Sequence, residues 1–228
     1  MLCTFSPSFG LLLIQKKAAF KLDDIQPLLR YNGQPSSLMV LSSKYSSLED
    51  FIKAAKENSG KLKVGGPGAG TFHNLVAEQF KSQAGIDFTW VPYGGGKEPI
   101  LNLLGGFLDG VVTTPGNAKS QIDSGQVKVL AVSSEKRSEY FPDTPSFSEK
   151  GYAIDLTLWR GMFIKNGTPP ERIKVLEDAF GNAVQDPRWI AFNKKHGENN
   201  YYLNSSAFAE SLKQEIKTFE GLSKIFSK

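Results

Sequence analysis

Twice in succession the chain sets a short β-type run ahead of a glycine loop and an amphipathic helical run. The first set is Lys61–Val64, then Gly65-Gly66-Pro67-Gly68-Ala69-Gly70, then a helix carrying Phe72, Leu75, Val76 and Phe80. The second is Phe88–Val91, then Pro92-Tyr93-Gly94-Gly95-Gly96, then a helix carrying Ile100, Leu101, Leu103 and Leu104. Strands alternating with helices of this kind fold as a mostly parallel α/β sheet, because each crossover helix must cover a sheet face. The same arrangement gathers free backbone N–H groups and the positive end of a helix dipole at one point, which favours an anionic oxygen there. Two such loops at neighbouring strand ends face one crevice, the usual ligand position in open α/β sheets. A tight βα turn without a ligand is the competing reading.

The remaining elements follow from periodicity and punctuation. Leu38–Leu41 reads as a strand, and Ser47 with Asp50 resembles a capping box for a helix carrying Leu48, Phe51, Ile52 and Ala55, which Asn58-Ser59-Gly60 ends. Gly85 suits a helix C-cap. Leu108–Thr113, a short helix ending at Gly125, and Val127–Val132 continue the alternation. Pro142, Pro145 and Gly151 mark a surface loop before strand segments Leu156–Trp159 and Gly161–Ile164. Thr168-Pro169-Pro170-Glu171 reads as a helix start capped by Thr168. From there the chain reads helical, with Ile173, Leu176, Phe180 and Ala183 on one face, a second helix holding Trp189 and Phe192, and a last one capped by Ser206.

Several function classes are excluded. The 228 residues are 40% hydrophobic, the composition of a globular chain able to bury a core. The apolar run Leu11–Ile14 is far short of the ~20 residues that span a bilayer. The opening MLCTFSPSFGLLLIQKK places its lysines after the apolar run and offers no small-x-small cleavage site, so it does not read as a secretory signal. The net charge of +4 arises from 27 basic and 23 acidic residues, spread without the basic stripe that nucleic acid requires, and no nucleic-acid partner is expected. One cysteine, Cys3, forbids an internal disulfide, and with only His73 and His196 no metal or other cofactor is expected. Lack of disulfides permits the cytosol and the bacterial periplasm alike.

The glycine loop is neither of the common nucleotide motifs. Thr71 follows Gly70 with no lysine, against the Walker pattern, and His73 stands where a Rossmann fingerprint needs its third glycine. No Gly-x-Ser-x-Gly elbow and no catalytic constellation is present. His73, in the first turn of a helix without a carboxylate orienter, is expected at the surface. His196 suits a helix C-terminus. Trp159 is expected in the core or at the mouth of a site. An enzymatic alternative remains, a small transferase or hydrolase holding a phosphorylated substrate on Gly65–Gly70, and it needs a general base near Thr71.

From about Lys21 onward the sequence resembles the extracytoplasmic solute receptors of tripartite tricarboxylate transporters, the Bug-type receptors. The resemblance is carried by Gly68-Ala69-Gly70-Thr71, Val91-Pro92-Tyr93-x-Gly95-Gly96, Leu103-Leu104-Gly105-Gly106-x-x-Asp109 and Gly125-x-Val127-x-Val129-Leu130-Ala131-Val132-Ser133 with Arg137. Pro142-Asp143-Thr144-Pro145-Ser146-Phe147, Gly151-Tyr152, Trp159-x-Gly161 and Gly167-Thr168-Pro169-Pro170 continue it.

The resemblance implies an α/β, type II-like periplasmic binding protein, a two-lobed Venus flytrap that binds a small di- or tricarboxylate without chemistry. It implies membrane transporter subunits as partners and the periplasm as location. The lobes would be 1–38 with 163–228, lacking the family's first βαβ unit, and 39–162. The ligand-binding set it implies is Gly68, Gly70 and Thr71 with Tyr93, Gly95 and Gly96, joined by Thr113 and Trp159. Asn74 stands where members often carry His, with His73 shifted by one. Thr113-Thr114 stands where receptors of amino acids tend to place an Asp for the ammonium group, so a ligand with an ammonium group is disfavoured. An inactive fragment is a further alternative.

Overall fold

The computed structural model describes residues 2–5, 21–138, 140–196 and 198–223. The chain divides into two compact units, Met1–Gln34 with Leu158–Lys228, and Pro35–Thr157. The crossings therefore fall at 34/35 and 157/158, a few residues ahead of the boundaries drawn from the sequence.

In chain order the elements are β1 (Leu2–Phe5), β2 (Ile25–Pro35), β3 (Ser37–Leu41), α1 (Leu48–Glu57), β4 (Lys63–Pro67), α2 (Phe72–Ala84), β5 (Thr89–Tyr93) and α3 (Glu98–Leu104). They continue with β6 (Gly110–Thr113), α4 (Lys119–Asp123), β7 (Val127–Val132), β8 (Thr157–Lys165), α5 (Pro170–Ala183), α6 (Pro187–His196) and α7 (Ser205–Ser223).

The unit Pro35–Thr157 holds a five-stranded sheet in the order β5-β4-β6-β3-β7. β4 runs parallel to β5 and β6, whereas β3 runs antiparallel to both β6 and β7. Strand–helix alternation predicts the parallel pairs, but β3 pairs with strands distant in sequence, and no local signal sets its direction. Helix α1 starts as its sequence dictates: Ser47 Oγ accepts from the Asp50 amide at 3.1 Å, and the Asp50 carboxylate accepts from the Ser46 amide at 3.2 Å. The buried Phe51 ring lies 6.5 Å from Phe80 and 6.4 Å from Phe88, and Phe80 lies 4.9 Å from Phe147. These aromatic pairs tie α1, α2 and the loop after β7 into one core. A second cluster joins Met39, Ile100, Leu103, Leu108, Val111 and Val127.

β4 extends through Pro67, so Gly65 and Gly66 are ladder residues, in register with Val91 and Pro92 of β5, and not part of a loop. The cause is steric. A Cβ on Gly65 would stand 2.5 Å from Leu108 Cδ1 and 2.9 Å from the Tyr93 ring, and one on Gly66 would collide with the Trp90 indole and the Val112 carbonyl. These two glycines make room for packing, and the flexible loop contracts to Gly68–Gly70.

The other unit holds a three-stranded sheet in the order β1-β8-β2, with β1 antiparallel to β8. β8 is one continuous strand where two segments were expected. Gly161 sits inside it because a Cβ there would stand 2.5 Å from the Phe208 ring. Ile25, Trp159, Phe163, Phe208 and Leu212 form one cluster, and Leu28, Leu29, Ile164 and Val184 another, against which Ile173, Leu176 and Phe180 of α5 pack. Two caps differ from expectation. Thr168 Oγ1 donates to the Lys165 carbonyl at 2.7 Å, closing the turn after β8 and leaving Pro169 as the cap residue of α5. Asn204, not Ser206, starts α7, its Oδ1 accepting from the Ala207 amide at 2.9 Å. Among the described residues no helix is long and apolar enough to cross a membrane, and no group of three His, Cys, Asp or Glu side chains converges.

Candidate functional site

The glycine loops meet at the carboxyl ends of β4, β5 and β6 in the unit Pro35–Thr157. The Gly68 amide donates to the Tyr93 carbonyl at 2.9 Å, fixing the turn after β4 to the end of β5. Thr71 is the N-cap of α2: its hydroxyl donates to the Pro67 carbonyl at 2.7 Å and accepts from the Asn74 amide at 3.4 Å. Asn74 Oδ1 in turn accepts from the Gly70 amide at 2.9 Å. Gly70 has φ +72°, a left-handed conformation that glycine alone adopts freely. Asn74 thus locks the loop, a role that loop-centred sequence reasoning missed.

After these bonds, the amides of Ala69, Thr71, Phe72 and His73 make no hydrogen bond among the described residues. They stand at the positive end of α2, where unpaired N–H groups and the dipole favour an anionic oxygen.

The second loop, Gly94–Gly96, reaches across the end of β4 to β6. A Cβ on Gly96 would collide with the Asn117 amide and stand 2.5 Å from Thr113 Oγ1, whereas Gly94 and Gly95 face open space. Asn117 Nδ2 donates to Thr113 Oγ1 at 2.9 Å and Thr114 Oγ1 at 3.0 Å. Thr113 is fully buried. Its hydroxyl keeps one proton for a neighbour. The amides of Gly94, Gly95 and Gly96 also lack a partner among the described residues. Burial, followed by the nearby Glu98 carboxylate, raises the Tyr93 pKa, so its hydroxyl remains a donor at neutral pH.

Gly68, Gly70, Thr71, Tyr93, Gly95, Gly96 and Thr113 therefore share one edge of one sheet. Trp159 does not. It belongs to the other unit, where it is buried, packs edge-on against Phe208 at 5.0 Å and donates its indole N–H to Glu215 at 2.6 Å.

His73 corrects the sequence expectation of a surface position, being only 8% exposed. The whole first half of α2, Phe72 to Ala77, is buried, so the helix has no solvated face there. The buried imidazole is satisfied by a 2.9 Å hydrogen bond between its Nδ1 and Ser36 Oγ. Burial pushes its pKa down to about 4, so the ring is neutral. Ser36 is itself fully buried and its amide donates to Ser133 Oγ at 2.9 Å. The serine–histidine pair is thus buried.

The family model described as "Tripartite tricarboxylate transporter family receptor" matches residues 4–224. A UPF0065 protein encoded in the gbd 5′ region of Cupriavidus necator is 32% identical over 195 residues, 85% of this chain and 59% of that relative. The chain thus spans about three-fifths of that relative's length. Among solved structures, a TctC solute-binding protein from Polaromonas superposes with a TM-score of 0.87 at 25% identity, covering 98% of this chain and 77% of the other. An R. palustris protein solved with adipate gives 0.82 at 22% identity, over 98% and 76% of the two chains. MatC from Rhodopseudomonas palustris with bound malate gives 0.76 at 20% identity, over 97% and 78%. These likenesses establish the two-lobed, type II-like periplasmic binding protein fold. With the family pattern running over nearly its whole length, the chain belongs to the tripartite tricarboxylate transporter receptor family.

Proposed function

We propose that this chain is a solute-binding receptor whose unit Pro35–Thr157 grips a carboxylate of a small di- or tricarboxylate, without catalysing a reaction. One observation carries the reading: two loops at the ends of adjacent strands offer backbone amides with no partner among the described residues, with the Thr113 hydroxyl beside Gly96. Neutral donors of this kind match a carboxylate, which takes several hydrogen bonds at modest charge. The adipate and malate found in two structures of the same fold support it. With Thr113 and Thr114 where a carboxylate would have to meet an ammonium group, the ligand lacks one.

The phosphorylated-substrate alternative needs a general base beside Thr71. The candidate closest in sequence, His73, directs its ring nitrogen to buried Ser36, and that disfavours it. Periplasmic residence and membrane transporter subunits as partners are the corresponding proposals, supported by the family.

Isothermal titration of the chain with malate, adipate and citrate, with phosphate and ATP as controls, tests the reading. Saturable binding of a carboxylate with neither control binding supports it. Binding of phosphate or ATP alone favours the enzymatic alternative, and no binding of any compound contradicts the receptor reading for this chain.

A further inference from the structure

Ser36 and Leu156 lie one residue inside the points where the chain enters and leaves the unit Pro35–Thr157. Ser133, the first residue after β7, joins them. Its hydroxyl accepts from the Ser36 amide at 2.9 Å and donates to the Leu156 carbonyl at 2.5 Å. Its backbone repeats both links: the Ser133 amide donates to the Ser36 carbonyl at 2.8 Å, and the Leu156 amide donates to the Ser133 carbonyl at 2.6 Å. Ser36 and Ser133 are fully buried. Among the described residues, the one side-chain hydrogen bond between this knot and the amide-lined start of α2 is that between Ser36 Oγ and His73 Nδ1.

We infer that His73 is a positioning residue for the carboxylate site: through Ser36 it fixes the first turn of α2 to both chain crossings, and ligand affinity depends on that bond although the imidazole makes no contact with the ligand. The inference rests on the carboxylate reading above. Three features carry it. His73 directly follows two of the unpaired amides, those of Thr71 and Phe72, so a tilt of its side chain moves them. The bond is buried, where hydrogen bonds are strong and their loss is not repaired by solvent. Lastly, Ser133 holds the other end of the relay with four bonds, so the knot is the fixed point and α2 the part that yields. Donor groups aimed at a carboxylate lose much of their value when displaced by a fraction of an ångström, because a hydrogen bond weakens steeply with angle and distance.

The test is titration of the full chain with malate and adipate, for the protein as it stands and for His73→Leu, Ser36→Ala, the double variant and His73→Asn. His73→Leu and Ser36→Ala should each weaken binding about ten-fold, the scale of one buried hydrogen bond. The double variant should lose no more than either single one, since both remove the same bond. His73→Asn, which keeps a nitrogen near the place of Nδ1, should recover most of the affinity, a rescue that a space-filling role does not give. Unchanged affinity in Ser36→Ala overturns the inference even if His73→Leu fails to fold. So does an Asn variant as weak as the Leu variant. If the unaltered chain binds no carboxylate, the functional reading fails separately, and the relay is then read by amide hydrogen exchange: faster exchange at Phe72–Asn74 in Ser36→Ala supports the positioning role, and unchanged exchange refutes it.

Discussion

Gly66 and Gly95 are one residue type in similar sequence surroundings with opposite physical duties. Gly66 lies in β4 under the Trp90 indole, and Gly95 faces open space in the loop after β5. Gly66→Ala should therefore destabilise the chain by about 1–3 kcal/mol through overpacking. Gly95→Ala should leave stability within about 0.5 kcal/mol while placing a methyl group where a carboxylate would approach. Urea unfolding measures the first effect and titration with malate the second; equal unfolding midpoints for the two variants would contradict the assignment. A run of glycines announces itself in a sequence, but whether each one serves a loop or a packed strand depends on which side chain crosses it. Trp90 and Leu108 do so from other elements. The burial of His73 is hidden in the sequence for a related reason: its partner Ser36 lies on a distant segment, so spacing from other polar residues carries no sign of it.

His73 also carries a pH dependence. Its pKa is lowered by burial from 6.5 to about 4. Above 6.5 the ring is neutral whether folded or unfolded, so it contributes no slope. As pH falls from 6.5 to 4 the unfolded chain takes up a proton that the folded ring resists, and stability drops by roughly 3 kcal/mol before levelling below 4. His73→Asn should remove that portion of the acid-side loss, seen as a flatter plot of unfolding free energy against pH.

At the level of elements, α7 docks on β8 through Phe208 and Leu212 around Trp159, and inside that contact lies Glu215. Burial raises its pKa from 4.5 to about 7, with the Trp159 hydrogen bond and the charge of Arg30 pulling the other way. Below 4.5 the carboxyl is protonated in both states. Between 4.5 and 7 the unfolded chain releases a proton that the folded one keeps, so stability falls as pH rises and levels above 7, again by roughly 3 kcal/mol. Glu215→Gln retains an oxygen to accept from Trp159 without the charge. The variant should match the unaltered chain near pH 4 and exceed it in stability at pH 8; equal stability at pH 8 would show that the carboxylate is not held in an apolar setting. Little of this contact is written locally. The apolar spacing of Phe208, Leu212 and Ile216 marks α7 as a helix, while Glu215 reads as an ordinary solvated residue until β8 is placed against it. The helix starts show a similar limit. Ser47, Thr71 and Gly85 act as punctuation at the places their types favour, but Thr168 and Ser206 lost their cap roles to Pro169 and Asn204. Candidate caps stood side by side there, and backbone geometry chose between them.

For the whole molecule, the unit Pro35–Thr157 interrupts the other unit in sequence, and Ser133 joins Ser36 to Leu156 near its two ends. Segments with adjacent ends and a core of their own fold independently, so a chain of residues 35–157 should unfold cooperatively; a broad, non-cooperative transition would contradict this. The alternation of strands and helices was legible because each βα step carries its own period and punctuation. The strand at β3 was legible too, but its antiparallel pairing was not, since its neighbours β6 and β7 come from far along the chain. Of the candidate site, the residues on loops after β4 and β5 were legible from glycine content and family resemblance alike. Asn74, Asn117 and the Ser36–Ser133 relay were not, because each acts through bonds to other elements.

The claim that one sheet edge offers its amides to a carboxylate is tested most directly by following backbone amide resonances of the chain as malate or adipate is added. Shifts that saturate together and centre on Ala69, Thr71, Phe72, His73, Gly95 and Gly96 are the predicted result. Binding that leaves these six amides unmoved, or perturbs a different surface, contradicts it.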